Sequence, residues 1–227
     1  MPADPARIWV TRAQPKADAT AARLMALGLT PVVAPVLEIL PNTDAIIDLE
    51  GVDALAFTSA AGVAAFATLT GERGLVIFTV GDATAGAARA AGFADVRSAG
   101  GDVHALADLI AAATPRPSLV LNPIAAAPAA DLPALLAERR VSARAVVVYQ
   151  NRETVLDATP ADLDGVLIHS ASAARAVARR LADANLSAVT AYSISRAAAA
   201  PISGLVWRRI AIAPFPNETA LLNLLQD

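Results

Sequence analysis

The chain has 227 residues, a formal net charge of −3, 56% hydrophobic residues and 17% charged residues. This length favours two compact domains, and the composition excludes an intrinsically disordered protein. The small negative net charge gives no general attraction to nucleic acid. Because there is no cysteine and the only histidines are His104 and His169, disulfides and thiolate chemistry are excluded and no metal site is predicted.

A membrane location is not predicted either. The longest uncharged run, Ala54 to Gly71, contains several hydroxyl side chains and changes its periodicity midway, which is not typical of a spanning helix. The first residues lack the basic region and apolar stretch of a signal peptide. We therefore expect a soluble cytoplasmic protein.

Short β-rich runs alternate with helical runs, which is typical of α/β folds with parallel sheets. In chain order, the predicted elements are strand Arg7–Thr11, helix Ala17–Leu27, strand Pro31–Ala34, strand Ala54–Thr58, helix Ala60–Leu69, strand Leu75–Val80, helix Ala83–Ala91, strand Asp95–Ser98, helix Val103–Ala113, strand Leu119–Leu121, a turn over 122–128, helix Leu132–Arg139, strand Ala145–Tyr149, strand Gly165–His169, helix Ser172–Ala184, strand Thr190–Ile194, helix Ala197–Ile202, strand Arg209–Ala213 and helix Glu218–Leu225.

The two halves of the chain resemble each other. Asp53–Ser59 and Asp164–Ser170 both read as an aspartate, an apolar strand and a serine that opens a helix. Asp102–Ile110 and Asn217–Leu225 likewise share a capping residue and leucine positions. We interpret this as a duplication that produces two similar α/β domains with a cleft between them. The alternative, a likeness that any two α/β halves share, stays open at this point.

Two extended segments occupy equivalent places in the repeat and are predicted to connect the domains. Segment 35–41 lies between two prolines, which favours an edge or free-standing strand. Segment 145–153 is its counterpart. The prediction is a two-stranded linker with a discontinuous first domain, 1–34 plus 154–227, and a second domain, 42–144.

Common catalytic motifs are missing. Gly81–Gly86 has the glycine spacing of a phosphate loop, but alanines follow where lysine and serine or threonine are required. The glycine-rich dinucleotide fingerprint does not follow the first strand. His169 and Ser170 are adjacent at a strand end and point to opposite faces, so they cannot form a catalytic pair.

Hydroxyl groups mark three helix starts that follow predicted strands. Free amides at helix N-termini bind carboxylates and phosphates, and open α/β sheets bind ligands at the carboxyl ends of their strands. Arg12, Lys16 and Arg175 lie in or just after such turns and could add positive charge. Each serine or threonine alone can also be an ordinary helix cap. The three candidate segments are Thr58–Ser59, Gly81–Asp82–Ala83–Thr84 and Ser170–Ala171–Ser172.

These segments, in this order and spacing, resemble the uroporphyrinogen-III synthase family over nearly the whole chain. The resemblance rests on their combination rather than on any single motif. Its residues are Val10–Thr11–Arg12, Pro35–Ile39, Phe57–Val63, Val80–Ala85, Gly92–Phe93, Val148–Gln150 and Ser170–Ser172.

The resemblance implies two flavodoxin- or Rossmann-like domains joined by a two-stranded linker. It implies an enzyme of tetrapyrrole (haem) biosynthesis that cyclises hydroxymethylbilane to uroporphyrinogen III, losing water and inverting ring D, without metal or cofactor. It also implies a monomer that receives its substrate, which carries eight carboxylates, in a transient hand-over from hydroxymethylbilane synthase. Tyr149 would assist departure of the hydroxyl. The implied substrate contacts are Thr11, Arg12, Thr58, Ser59, Gly81, Asp82, Ala83, Thr84, Ser170, Ala171 and Ser172.

The chain departs from the family pattern at Ala198, where relatives often have threonine, and in the turn over 122–128. Two alternatives to the enzyme therefore remain. One is a non-catalytic two-domain protein that binds a small polyanion, and the other is an inactive relative of the synthase.

Overall fold

The structure, a computed structural model, describes residues 4–156 and 158–226. Packing divides the chain into two units. Unit 1 extends from the N-terminus to Glu38 and from Arg152 to the C-terminus, and unit 2 is Ile39–Asn151. The two dividing points fall inside the segments 35–41 and 145–153 that the sequence suggests as a linker. Residues 1–3, 157 and 227 of the predicted first domain lie outside the described residues.

Eight helices and eleven strands alternate along the described part of the chain. The strands are β1 (Arg7–Val10), β2 (Thr30–Val33), β3 (Leu37–Pro41), β4 (Ala54–Phe57), β5 (Val76–Thr79), β6 (Val96–Ser98), β7 (Leu119–Ala125), β8 (Ser142–Glu153), β9 (Gly165–Ile168), β10 (Leu186–Ser193) and β11 (Trp207–Ile212). The helices are α1 (Lys16–Ala26), α2 (Ala60–Leu69), α3 (Asp82–Ala90), α4 (Val103–Ala111), α5 (Leu132–Glu138), α6 (Ala171–Arg180), α7 (Arg196–Ala199) and α8 (Glu218–Asn223); a 3₁₀ turn, Ala200–Ile202, follows α7.

Each predicted helix and strand has a counterpart, but the predicted turn after Leu121 is wrong. Strand β7 continues through Asn122 and Pro123 to Ala125. In this stretch β7 pairs with β8, whereas its pairing with β4 is confined to Val120 and Leu121. Proline is tolerated where a strand has a ladder partner on one side only, so the Asn-Pro sequence does not end the strand.

Segment 35–41, predicted as an edge or free-standing strand, forms the edge strand β3 beside β8. The amide of Asn42 donates to Val148 (2.8 Å), and the amide of Thr154 donates to Val36 (3.1 Å). Residue numbers therefore rise in one strand as they fall in the other, which makes this pair antiparallel.

Both sheets have the same strand order once the internal repeat is taken into account. Unit 1 has the order β11-β10-β9-β1-β2, and unit 2 has β6-β5-β4-β7-β8 with β3 added at the edge. All pairs within these two sets of five are parallel. The repeat equates β9 with β4 and β10 with β5, so the two sheets are permuted copies of one doubly wound topology. Among the described residues, none of the helices is long and apolar enough to cross a membrane.

Helices cover both faces of each sheet, so the strands read as nearly continuous apolar runs. In unit 1, Ile8 and Val10 pack on the side of α1 and α8, whereas Trp9 packs on the side of α6. In unit 2, Leu55 and Phe57 face α2 and α3, and the alternate residues of β4 face α4 and α5. Successive residues point to opposite faces because the side-chain period of a strand is two.

The repeated aspartates fix equivalent strand pairs. Asp164 accepts a hydrogen bond from the Arg7 amide (2.8 Å), where β1 begins beside β9. Asp53 accepts from the Ser118 and Leu119 amides (2.7 and 3.2 Å), where β7 begins beside β4. Each carboxylate thus accepts hydrogen bonds from backbone amides at the start of a central strand. The two halves of the chain therefore share this interaction as well as the strand order.

Gly165 is a position where a side chain does not fit. A Cβ added there would lie 2.8 Å from the Tyr192 ring and 3.0 Å from Ile8 Cδ1. We expect Gly165→Ala to lower the free energy of unfolding by about 1–3 kcal/mol, because both neighbours must shift. Gly86→Ala is the control, since Gly86 lies inside α3 with open space around it; it should stabilise by roughly 0.5–1 kcal/mol. Urea unfolding measures both, and equal effects would contradict the packing argument.

Candidate active site

Each unit has a position where the strand order changes direction. In unit 1 this lies between β1 and β9, whose following helices, α1 and α6, cover opposite faces of the sheet. In unit 2 it lies between β4 and β7, followed by α2 and α5. Open α/β sheets bind ligands in the crevice at the carboxyl ends of such strands. Three of the predicted site segments, at 11–12, 58–59 and 170–172, follow these strands.

Tyr149 lies at this end of unit 2, close to the start of α2. Its side chain is buried, with 7% of the residue exposed, and its hydroxyl oxygen lies 3.0 Å from Ser59 Oγ. Ser59 is the N-cap of α2 and accepts a hydrogen bond from the Gly62 amide at 3.0 Å. The structure therefore brings together two of the predicted site residues, Tyr149 and Ser59.

A β-bulge in β8 aims Tyr149 inward. Val147 pairs with Ile124, but the next residue of β7, Ala125, pairs with Tyr149, so Val148 is the extra residue of the bulge. Val148 and Tyr149 are consequently both buried, although they are consecutive. A regular strand would turn one of them outward.

The segment 81–84 forms the first turn of α3. Gly81 is the N-cap in an extended conformation, and Asp82 opens the helix. The Asp82 carboxylate accepts a hydrogen bond from Ser98 Oγ at 2.7 Å, while Ala83 is exposed and Thr84 is buried. The Thr84 amide donates to the Gly81 carbonyl at 3.1 Å, whereas the amides before it, as at every helix start, have no acceptor within the helix. This segment offers a ligand those amides rather than positive side chains.

Ser170 occupies the same position in unit 1 that Ser59 has in unit 2. Its Oγ accepts a hydrogen bond from the Ala173 amide at 3.1 Å and caps α6, which begins at Ala171. Ser172 lies in the first turn, and its Oγ accepts a bond from Arg175 Nη2 at 3.2 Å. The two capped helix starts are equivalent, but the Tyr149 contact belongs to Ser59.

Thr11 differs from the other predicted contacts because it is fully buried. Its hydroxyl donates to the Leu167 carbonyl at 2.6 Å and ties β1 to β9. In unit 2, Asn122 makes the equivalent bond, from Nδ2 to the Ala56 carbonyl, at 2.7 Å. The Thr11 hydroxyl thus already donates its hydrogen to a main-chain carbonyl, at the position where the strand order changes direction.

Arg12 belongs to a polar cluster that sequence reasoning did not find. Its Nη1 donates to Glu218 Oε2 (2.5 Å) and to Thr20 Oγ1 (3.2 Å). The Thr20 hydroxyl donates to the other Glu218 oxygen at 2.6 Å, and His169 Nε2 lies 3.0 Å from Oε2. These partners are far apart in the chain, and Glu218 looks like an ordinary first-turn acid of α8, so no local pattern reveals the cluster.

The cluster sets the charge state of its members. Burial lowers the pKa of His169 below its ordinary value, an effect that its hydrogen bond to Glu218 only partly offsets. Burial alone would raise the pKa of Glu218, but hydrogen bonds from His169 and Thr20, together with the charges of Arg12 and of His169 once it is protonated in acid, outweigh it and lower that pKa to about 2. Glu218 is therefore a carboxylate at neutral pH, and a neutral His169 donates to it through Nε2.

Arg12 retains donors for a ligand, since its described hydrogen bonds all involve Nη1. Lys16 lies nearby, and its pKa is lowered by burial and by the charge of Arg12. A cavity of about 390 Å³ opens elsewhere in unit 1, after β10 and β11, and is lined in part by Ser195 and Arg196. Arg196 is a further cation at the carboxyl end of this sheet that sequence reasoning missed.

Comparisons with known proteins agree with one another. The sequence model of the HEM4 family, described as uroporphyrinogen-III synthase HemD, matches residues 18–223. The structure is similar to that of uroporphyrinogen-III synthetase from Helicobacter pylori, with a TM-score of 0.71 and 20% identity over 98% of each chain. It is also similar to a mutant uroporphyrinogen III synthase from the extremely thermophilic bacterium Thermus thermophilus, with a TM-score of 0.56 and 18% identity over 97% of this chain and 96% of that one.

A sequence search of curated proteins gave no significant match. At identities of 18–20%, the structural likenesses establish the fold alone: two-domain α/β architecture with mostly parallel sheets, as the sequence predicts. The family match spans most of the 227 residues. On that basis the chain belongs to the uroporphyrinogen-III synthase family.

Proposed function

We propose that the chain cyclises hydroxymethylbilane to uroporphyrinogen III, as a cyclising hydro-lyase of haem biosynthesis, and that Tyr149 donates a proton to the departing hydroxyl. The family match supports the reaction. The observation that supports the role of Tyr149 is its place beside the capped start of α2, where its phenol meets Ser59. A tyrosine hydroxyl is one of the side-chain groups that can deliver a proton to a leaving group.

The reaction needs only a proton donor from the protein, because the substrate itself supplies the electrons that expel the hydroxyl. The C–O bond of the hydroxymethyl carbon breaks, with electrons supplied by the pyrrole ring, and the hydroxide leaves as water with the proton of Tyr149. The activated carbon first bonds to the ring D carbon that already holds the bridge to ring C, and that older bridge bond then breaks. The free α-carbon of ring D attacks the released bridge carbon and closes the macrocycle with ring D inverted. The proton that this α-carbon loses restores the phenol. Since the same substrate closes without help to the isomer with ring D not inverted, placement of the rings decides the product.

We propose that the substrate carboxylates are bound mainly by helix-start amides and nearby hydroxyls. A protein of net charge −3 can bind a polyanion in this way, because local amides and a few cations act at short range. Arg12 adds charge through the nitrogen atoms that Glu218 does not occupy, and Thr11 holds the backbone beside it. The proposed contacts are Thr11, Arg12, Thr58, Ser59, Gly81, Asp82, Ala83, Thr84, Ser170, Ala171 and Ser172.

Distributed binding predicts a modest effect of any single hydroxyl. Ser170→Ala should weaken substrate binding by about 1 kcal/mol, seen as a several-fold rise in KM, because one hydrogen bond of many is lost. Steady-state kinetics measure this, with Ser187→Ala as the control; Ser187 is an exposed residue of β10. Complete loss of binding on removal of the Ser170 hydroxyl would contradict an amide-based site.

One experiment separates the enzyme from its alternatives. Hydroxymethylbilane is generated in the assay by hydroxymethylbilane synthase, and the uroporphyrinogen isomers are separated with and without this chain. We expect isomer III to dominate when the chain is present. A non-catalytic polyanion binder or an inactive relative would leave isomer I as the product, and that outcome would reject the proposal.

Finally, we propose that the protein is a cytoplasmic monomer and receives its substrate in a transient hand-over from hydroxymethylbilane synthase. Free hydroxymethylbilane closes spontaneously to isomer I. Direct transfer from the synthase to this chain would shorten the time that the substrate spends free in solution. Sedimentation of the chain alone and together with that synthase tests the monomer and the encounter.

A further inference from the structure

The Ser59 hydroxyl makes two hydrogen bonds, one with the Gly62 amide and one with the Tyr149 hydroxyl. Only the bond with Gly62 belongs to its role as a helix cap. A hydroxyl has one hydrogen and two lone pairs. The Gly62 amide uses one lone pair at 3.0 Å. The hydrogen and the second lone pair remain for the Tyr149 oxygen, also 3.0 Å away, and either oxygen can be the donor of that bond.

The two possible directions of this bond have different chemical consequences. If Tyr149 donates to Ser59, its proton points to Ser59 and is not available for a leaving group. If Ser59 donates to Tyr149, the phenol proton is free for another acceptor. The Ser59 bond then also stabilises the negative charge that develops on the phenol oxygen as it gives up its proton.

We infer that Ser59 is a positioning residue for Tyr149, donating its hydroxyl hydrogen to the phenol oxygen so that the phenol proton is directed at the departing hydroxyl. This inference rests on the proposed function and assigns Ser59 a role other than carboxylate binding. The proton balance is closed: Tyr149 protonates the hydroxide, Ser59 keeps its own proton, and the pyrrole carbon returns a proton to Tyr149 on ring closure.

Three local features hold the pair in this geometry. Ser59 is fixed by its cap bond in an extended conformation. The bulge at Val148 turns Tyr149 inward. Residue 62 is glycine, and a Cβ there would lie 3.3 Å from Ser59 Oγ and 3.1 Å from the Pro123 carbonyl. A side chain at 62 would therefore crowd the hydroxyl that meets the phenol.

Comparing the two halves of the internal repeat shows that the helix cap and the phenol contact are independent features. Ser170 makes the equivalent cap bond to Ala173, at 3.1 Å, and within the described ranges that is its one side-chain hydrogen bond. Ser59 makes the same bond and contacts Tyr149 in addition. A capping serine at this position of the topology therefore does not require a tyrosine, and the contact in unit 2 is an added feature.

A double-mutant cycle tests the inference by measuring kcat and KM of Ser59→Ala, Tyr149→Phe and the double variant in the coupled assay. We expect Ser59→Ala to lower kcat about 3–10-fold with KM changed less than about twofold, since one hydrogen bond to the donor is lost. In the Tyr149→Phe background, Ser59→Ala should lower kcat no further, because residues that act through each other are not additive.

Two further variants control for stability. Ser59→Thr keeps both the cap and the hydroxyl and should recover the kcat that Ser59→Ala loses. Asp102→Ala removes the cap of α4 in the same unit, where Asp102 accepts from the His104 and Ala105 amides. It should destabilise the protein by roughly as much as Ser59→Ala, about 1 kcal/mol, and leave kcat unchanged.

The outcomes distinguish this inference from the proposed function. If Ser59→Ala has a normal kcat and a raised KM, Ser59 is a substrate contact and the inference is overturned. The inference is also overturned if Ser59→Ala has wild-type kinetics, or if it lowers kcat equally in the wild-type and Tyr149→Phe backgrounds. Full activity of Tyr149→Phe overturns the proposed donor itself. Loss of kcat in both single variants without further loss in the double variant supports both.

Discussion

Replacing Tyr149 with phenylalanine should lower turnover at least about tenfold while isomer III remains the main product. The substitution keeps the ring that packs against Ala65, Ala125 and Val148 and removes only the hydroxyl. A general acid typically contributes about 10²–10⁴-fold, but the pyrrole supplies much of the driving force here, so the loss should lie between about tenfold and the lower end of that range. Tenfold corresponds to about 1.4 kcal/mol in the barrier. The coupled assay measures both the rate and the isomer ratio.

The other tyrosine provides a matched control. Tyr192 lies in β10 of unit 1, half-buried against Gly165, and Tyr192→Phe should leave turnover unchanged. Full activity of Tyr149→Phe would refute the donor role and leave Tyr149 as a packing residue. A Tyr149→Phe enzyme that forms chiefly isomer I would instead show that the hydroxyl positions the substrate rings.

Periodicity and capping residues predicted most of the fold. Alternating apolar runs located the parallel strands because both faces of each sheet are covered. Of the polar residues expected to cap helices, Asp102, Asp131 and Asn217 accept first-turn amides. The expectation for Asp82 was wrong, because Gly81 is the N-cap of α3 and no side chain caps that helix. The repeat of aspartate, strand and serine anticipated two sheets with one strand order, because a duplicated sequence preserves its pairing.

Features that depend on pairing between distant residues were not predictable. The length of β7 depends on its partner β8, since Asn122-Pro123 alone suggests a turn. The bulge at Val148 depends on the register between these strands, and it decides that Tyr149 points at Ser59. The resemblance to the family suggested both residues, but nothing in their separate segments indicates that they touch.

The Arg12 cluster was missed for the same reason. Glu218 is 206 residues from Arg12 and 49 from His169 in the chain. Its position after the capping Asn217 explains its presence as a helix-dipole residue, so the sequence offers no reason to seek another role. The contact exists because β1, β9 and α8 meet in one unit.

The acid sensitivity of unit 1 should depend on this cluster. The folded-state pKa of Glu218 is lowered from 4.5 to about 2, so its ionised form stabilises the fold above about pH 4.5. That contribution is lost as the pH falls towards 2, because the unfolded chain takes up a proton first. The pKa of His169 is also lowered; below its ordinary value of 6.5, protonation favours the unfolded chain. Both groups therefore make stability fall with acid, with His169 acting at the higher pH.

Glu218→Gln should consequently lower the free energy of unfolding at pH 7 by about 2–3 kcal/mol. The shift of the pKa corresponds to roughly 3 kcal/mol at 1.36 kcal/mol per unit, reduced somewhat because the side chain is 20% exposed. The amide cannot match a carboxylate that accepts from three donors at once. Urea unfolding at pH 7 and pH 3 measures the difference, which should shrink at pH 3, where part of the wild-type contribution is already lost.

The control is Glu38→Gln. Glu38 pairs with Arg152 at 2.8 Å, with side chains 39% and 62% exposed, and exposed ion pairs contribute about 0–1 kcal/mol. Its effect should be small at pH 7. A Glu218→Gln effect no larger than this, or one that is the same at pH 3 and pH 7, would mean that Glu218 is an ordinary surface acid. A large, pH-dependent effect would establish that the carboxylate holding Arg12 also holds the end of β9 and the start of α8 together.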